Sequence, residues 1–300
     1  MSTLFSTIAH GLGYVLYLLY NMVGFNYGLA IIILTVLIRF LLLPFAIKSF
    51  KSMAQMSEIQ PMVNELQRKH KNDKEALNKE LMQLYQEKKV NPLGGCLPLL
   101  ANFLILYSLF LVMTSPITYM FNTPQITYTS TFGANITKGN YYKEVEFLEK
   151  LQKTPSIFNQ LKKEWINNYS DKTPIVAAEA KHILSMNLYL LGLNMGDVPK
   201  FMPPKGEEQK YIILWMIPLL ACVTTYLTSK YGQMPTKNTE MTDMQKSMQT
   251  QMMVMLPAMT LYFTFLVPVA LGLYWILGNI LQLIQQKVLI NIYVNKKEEI

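Results

Sequence analysis

Residues 1–38 contain no lysine, arginine, aspartate or glutamate. A secretory signal peptide needs a basic start and an organellar transit peptide needs several arginines, so neither fits. Arginine is scarce throughout: of 27 basic residues only Arg39 and Arg68 are arginine. The net charge of +8 therefore rests on lysines, which lie in loops among acids. That distribution offers no basic groove interleaved with stacking aromatics, and direct nucleic-acid recognition is not expected. Cysteine is rare as well. Cys96 and Cys222 both fall in apolar stretches, without a second Cys or a His at metal-ligand spacing, and read as small packed residues. His10, His70 and His182 are scattered. The chain lacks the HExxH, Walker, GxSxG and dinucleotide-binding patterns, so no enzyme chemistry, metal or cofactor is expected.

What is abundant is apolar: 51% of residues, with the charges, Arg39 apart, avoiding stretches 28–47, 93–113, 211–227 and 252–283. Such runs point to an integral membrane protein. Stretch 28–47, GLAIIILTVLIRFLLLPFAI, is long enough to cross the ~30 Å hydrocarbon layer as a helix. Upstream, Gly11 to Val23 is short for a span and carries Tyr14, Tyr17, Tyr20 and Asn21 at roughly helical spacing. It reads as a helix in the interface with its rings at headgroup level. Beyond Ile47 a lysine-rich segment follows, cytoplasmic by the positive-inside rule. Met53, Met56, Ile59, Val63 and Leu66 form one apolar stripe there, and Leu77, Leu81, Leu84 and Tyr85 another. The turn-forming break at Lys71–Asp73 between them predicts an antiparallel helical hairpin. Its methionines suit either the hairpin core or an adaptable binding surface.

Loop 114–210 has eleven lysines and nine acids, with short helices expected at 141–152, 156–168 and 174–186, the last capped by Thr173. So long a loop crosses a membrane regardless of its charge. Pro218 kinks or starts the next span, and Pro268 and Gly272 divide the last apolar stretch in two. The expected architecture is an all-α integral membrane protein of five spans, N-terminus outside and C-terminus in the cytoplasm. In order, it has an interfacial helix in 1–24, a first span in 25–48, the cytoplasmic hairpin in 49–92 and a second span in 93–113. The extracytoplasmic loop 114–210, a third span in 211–229 and a cytoplasmic loop in 230–250 follow. Spans four and five occupy 251–267 and 269–289, with a cytoplasmic tail in 290–300.

Arg39 stands out because a guanidinium stays charged and costs about 2.5–3.5 kcal/mol at the membrane centre. It lies roughly 12 Å of helix rise from the Ile47 end, farther than its side chain reaches by snorkelling. The apolar stretches contain no Asp or Glu, which argues against a proton relay. The candidate site is thus one permanent cation in a wet groove, lined by Thr35, Asn102, Thr224, Thr225 and Gln282. Asn102 suits an interhelical hydrogen bond as well as a role in the groove.

Three strings carry a family resemblance: LIRFLLLPFAIKSFKSMAQM, EKKVNPLGGCLPLL and GLYWILGNILQLIQQ. Together, over about 25–113 and 188–290, they resemble the YidC family of membrane protein insertases. The resemblance implies five helices around a hydrophilic groove open to cytoplasm and lipid, a cytoplasmic helical hairpin, and the family's arginine at Arg39. It brings Trp275 to an aromatic groove position, and Asn102 stands where relatives usually hold Gln. Met53, Met56, Met62, Arg68 and Lys69 become the hairpin's candidate contacts with clients or partners. The implied location is the bacterial plasma membrane, and the implied partners are nascent membrane proteins, lipid, a Sec translocon and the ribosome. The sequence departs from the family in having no large domain ahead of the first span, no lipobox cysteine, and an unmatched insertion at about 120–186. Two other classes of function compete: a small-anion channel or carrier with Arg39 as its selectivity charge, and a purely structural assembly factor for a translocase.

Overall fold

The computed structural model describes residues 2–71, 73–91, 97–120, 144, 145, 148, 186–232 and 243–293. Pro92, the Gly94–Gly95 pair, Cys96, nearly all of the 120–186 insertion with its three expected helices and the Thr173 cap, residues 233–242 and residues 294–300 lie outside that set. The elements are α1 (Ser2–Met22), α2 (Tyr27–Lys69), α3 (Lys74–Glu87), α4 (Leu97–Thr114) and α5 (Pro116–Met120). After these come β1 (Tyr189–Leu190), β2 (Leu193–Asn194), α6 (Glu208–Leu214), α7 (Met216–Tyr231), α8 (Asp243–Thr264) and α9 (Val269–Tyr293). The chain is an all-α membrane protein, with one two-stranded ribbon among the described residues. Three helical stretches, Thr3–Met22, Tyr27–Lys69 and Glu208–Tyr231, are long and apolar enough to cross a membrane among the described residues. Large apolar side chains such as Phe40, Leu41, Ile212, Val254 and Tyr262 are exposed, as lipid rather than water requires. The chain divides into two compact units.

The first unit comprises Met1–Val36, Phe103–Leu219 and Tyr262–Leu277. Its core is apolar: Leu16, Ile31, Leu34, Leu109, Met113 and Ile117 are fully buried. Helix α1 occupies most of the 1–24 stretch in which a helix was expected, and it is held against α4 and α5. Gly13 makes the approach possible, because a Cβ there would stand 2.2 Å from the Tyr119 carbonyl oxygen. The Phe5 and Tyr107 rings meet edge to face at 4.6 Å. Asn26 caps α2: its side-chain oxygen accepts from the Leu29 amide at 3.0 Å, and its own amide donates to the Tyr189 carbonyl.

The β-ribbon pairs Tyr189 with Asn194 and Leu190 with Leu193. Leu191 and Gly192, at φ 52° and 81°, make its two-residue turn, the backbone twist that such hairpins favour. No alternating apolar pattern announced strands this short. The helix N-terminus of α9 is satisfied by the loop after this ribbon: Val269 donates to the Asp197 carbonyl at 2.8 Å and Ala270 to that of Met195 at 3.0 Å. From the insertion, Glu144, Val145 and Leu148 are buried, and the Glu144 carboxylate accepts from the Thr118 amide of α5 at 3.1 Å. Pro218 deprives the Leu214 carbonyl of its helical donor, and the chain turns at Trp215 between α6 and α7. The Trp215 indole donates to the Lys200 carbonyl at 2.8 Å.

The second unit comprises Leu37–Asn102, Leu220–Leu261 and Gly278–Ile300. Here α2 continues without a break where the first span was expected to end, passing through Pro44 and Pro61 to Lys69. Ile59, Val63 and Val90 form a buried cluster with Met56, Leu81, Leu84 and Tyr85 against it. The hairpin turn is fixed by Asp73, whose carboxylate accepts from the Ala76 amide at 3.0 Å. Lys89, at φ 53°, ends α3, and the Val90 amide donates back to the Tyr85 carbonyl at 2.9 Å. Burial pushes the Tyr85 phenol above its ordinary value. Helix α8 begins at Asp243, inside the stretch expected to be a loop up to residue 250, and contains Pro257.

Candidate substrate groove

The site is built on one turn of α9, and Arg39 reaches it from α2. Around Arg39 the exposed apolar residues of α2 are Leu37, Phe40, Leu41 and Phe45. At about 100° per residue these cluster on the side of the helix opposite Arg39. The guanidinium is thus half-buried on the face turned from lipid, where its Nη1 donates to the Gln282 Oε1 at 3.4 Å. Gly278 provides the room, since a Cβ there would lie 2.8 Å from Nη2 and 3.6 Å from Cζ. A good hydrogen bond to a charged group contributes about 1.5–3 kcal/mol, and this one is long, so it offsets only part of the cost of the charge.

The next residue on the turn binds the opposite neighbour. Asn279 is buried, and its amide nitrogen donates to the Thr225 Oγ1 at 2.8 Å and to the Thr224 Oγ1 at 3.2 Å. Thr228 Oγ1 in turn donates to the Asn279 carbonyl at 3.3 Å. Thr224 and Thr225 are therefore joined to α9 by a polar clamp. Asn279 was not singled out in the sequence, although Asn279, Gln282 and Gln286 form an i, i+3, i+7 polar stripe on an otherwise apolar helix. Farther along, Gly232 just beyond α7 lies against the Gln286 Oε1, and Lys51 of α2 stands 4.9 Å over the Tyr293 ring. These contacts make α2, α7 and α9 parallel within this unit.

The other sequence-derived candidates are placed as follows. Thr35 is buried, and its hydroxyl donates to the Ile31 carbonyl of its own helix at 2.7 Å. Asn102 on α4 and Trp275 on α9 are half-buried. In the hairpin, Met56 lies against the buried cluster, whereas Met53 and Met62 are exposed, as are Arg68 and Lys69 at the tip. Lys69 and His70 both approach the Glu80 carboxylate, at 3.5 and 3.0 Å. At the hairpin base, a cavity of about 350 Å³ is lined by Met82, Tyr85, Gln86, Lys89, Val90 and Asn91. No cluster of His, Cys, Asp or Glu able to hold a metal occurs among the described residues.

The family model of the 60Kd inner membrane protein matches residues 18–297. A "Membrane protein insertase YidC" of Caldanaerobacter subterraneus is 31% identical over 281 residues, covering 94% of this chain and 93% of that protein. The chain belongs to the YidC family. YidC-family relatives of the same name from Pelobacter propionicus and Geobacter metallireducens are 31% and 28% identical over 97% and 90% of this chain. This chain spans only 39% and 34% of those two proteins' lengths. Membership of the YidC family makes this a protein of bacterial membranes.

Proposed function

We infer that this protein is a membrane protein insertase, moving nascent membrane proteins from the cytoplasm into the bilayer without consuming a nucleotide itself. The observation that carries the reading is Arg39: a permanent cation on an apolar helix, on the side away from the exposed apolar residues, with Gln282 among its hydrogen-bond partners. A client segment docks from the cytoplasm, guided by hairpin 49–92. Its polar tail enters the wet groove without full desolvation, and Arg39 attracts any carboxylates where the local dielectric is lower than in water. The apolar part then slides into lipid, each Leu or Phe gaining about 0.3–0.6 kcal/mol, and this gain draws the tail across.

In this reading the groove is enclosed by five spans, with the N-terminus outside, the C-terminus cytoplasmic, and α1 in the outer interface. The parallel run of α2, α7 and α9 supports that order, because spans one, three and five must share a direction. Asn102, in the same unit as Arg39, belongs to the groove as well. Met53, Met62, Arg68 and Lys69 meet clients, and a Sec translocon and the ribosome are further partners.

Arg39→Ala should reduce insertion of acidic-tailed clients about 10- to 100-fold, the loss of one charge-assisted contact, and spare strongly apolar ones. Complementation in an insertase-depleted strain with both client classes reads this. Equal performance of the variant on both would overturn the carboxylate-attraction step.

A further inference from the structure

We propose that the ends of α7 and α9 form a headgroup site for an anionic phospholipid, with Lys230 and Lys287 holding its phosphate. Lys230 Nζ stands over the Tyr231 ring at 5.4 Å and over the Tyr226 ring at 5.9 Å. Lys287 Nζ, from the neighbouring helix, stands 5.9 Å from the centre of the same Tyr231 ring. One exposed tyrosine thus gathers exposed ammoniums from two helices. A ring face attracts a cation but carries no net charge, so both positive charges remain uncompensated. Helices α7 and α9 contain no Asp or Glu, and neither ammonium has a carboxylate partner among the described residues. An anion shared by the two lysines is the complement this arrangement fits.

What precedes the two lysines along their helices selects the occupant. On α7, Val223, Tyr226 and Lys230 follow one another within about 60° of the helix circumference. On α9, Ile280, Ile284 and Lys287 do the same. Val223, Ile280 and Ile284 are exposed, as contacts for acyl chains. Tyr226 stands between the apolar side chains and the charge, the level at which tyrosine rings meet headgroups. The order matches one phospholipid, with chains along the apolar stripe and phosphate at the lysines. A soluble anion would use the lysines and leave the stripe idle. Lysines near a membrane surface favour anionic lipids, so a net-anionic headgroup is preferred over a zwitterionic one. The two helices are joined without the lipid, since Thr228 Oγ1 donates to the Asn279 carbonyl at 3.3 Å. Placing the lipid in the cytoplasmic leaflet rests on the topology proposed above; the site itself does not.

The test is native mass spectrometry of the full chain in neutral detergent, titrated with phosphatidylglycerol or phosphatidylcholine. The chain should bind its first phosphatidylglycerol about tenfold or more tightly than its first phosphatidylcholine. Lys230→Gln/Lys287→Gln should shrink that preference to within about threefold and leave phosphatidylcholine binding unchanged. Lys230→Arg/Lys287→Arg, which keeps both charges, should retain it. Lys74→Gln/Lys79→Gln, which removes two exposed charges from the hairpin, should retain it as well. An undiminished preference in the double glutamine variant overturns the site, and so does an unmodified chain that does not distinguish the lipids. An equal loss in the hairpin variant also overturns it, as the mark of net charge alone. Displacement of phosphatidylglycerol by equimolar inorganic phosphate overturns the assignment to lipid. If the preference behaves as expected but cysteine labelling places the end of α7 outside, the proposed topology fails and the site stands, in the other leaflet.

Discussion

Adjacent positions on α9 serve different ends: Gly278 makes room for the Arg39 guanidinium of α2, and Asn279 binds α7. Asn279 gives its amide protons to Thr224 and Thr225, which ties α7 to α9, whereas the Arg39 guanidinium donates to the Gln282 side chain. Interhelical hydrogen bonds in membranes average about 0.6 kcal/mol, so Asn279→Leu should destabilise the protein by about 1 kcal/mol. A small fall in melting temperature in detergent, with acidic and neutral clients affected alike, is the expected result. Arg39 and Gln282 were legible because a charge and an amide in an apolar run are conspicuous. Asn279 stood in the same run, but one sequence does not reveal whether an amide faces a groove or a neighbouring helix. Thr35 illustrates the reverse: its hydroxyl had a partner one turn away on its own backbone, a possibility open to any threonine in a helix.

At the scale of elements, the hairpin was the most readable part. Two stripes at helical spacing and a polar break specify α3 and the end of α2, and Ile59 and Val63 are indeed buried against Leu81, Leu84 and Tyr85. Asp73→Ala should loosen α3 by about 0.5–2 kcal/mol, through loss of its cap to Ala76. Faster amide hydrogen exchange confined to α3 in the full chain would register it. The β-ribbon was not legible, because strands of two residues carry no period and are fixed by contacts distant in sequence. The uninterrupted course of α2 was hidden by the change from apolar to lysine-rich composition beyond Ile47, which marks a span end but not a helix end. The start of α8 at Asp243 was hidden by a polar composition that suits a loop equally well.

For the whole molecule, the testable matter is sidedness. Leu191 at the tip of the ribbon and Lys74 at the tip of the hairpin are both exposed. With Cys96 and Cys222 replaced, Leu191→Cys should react with an impermeant thiol reagent from outside the cell, and Lys74→Cys only after permeabilisation. Labelling of both from the same side would overturn the proposed topology. One last consequence comes from α2, a single rod through Tyr27–Lys69. On it, Ile59 and Val63 lie about 200° and 240° around the axis from Arg39. The bearing of the guanidinium and the seam of the helical hairpin are therefore cut into one shaft, like two keyways milled in fixed phase. A single residue added between them would throw that phase by about 100°, while four would return it to within about 40°. The spacing between cation and hairpin is thus free to change only by near-whole turns.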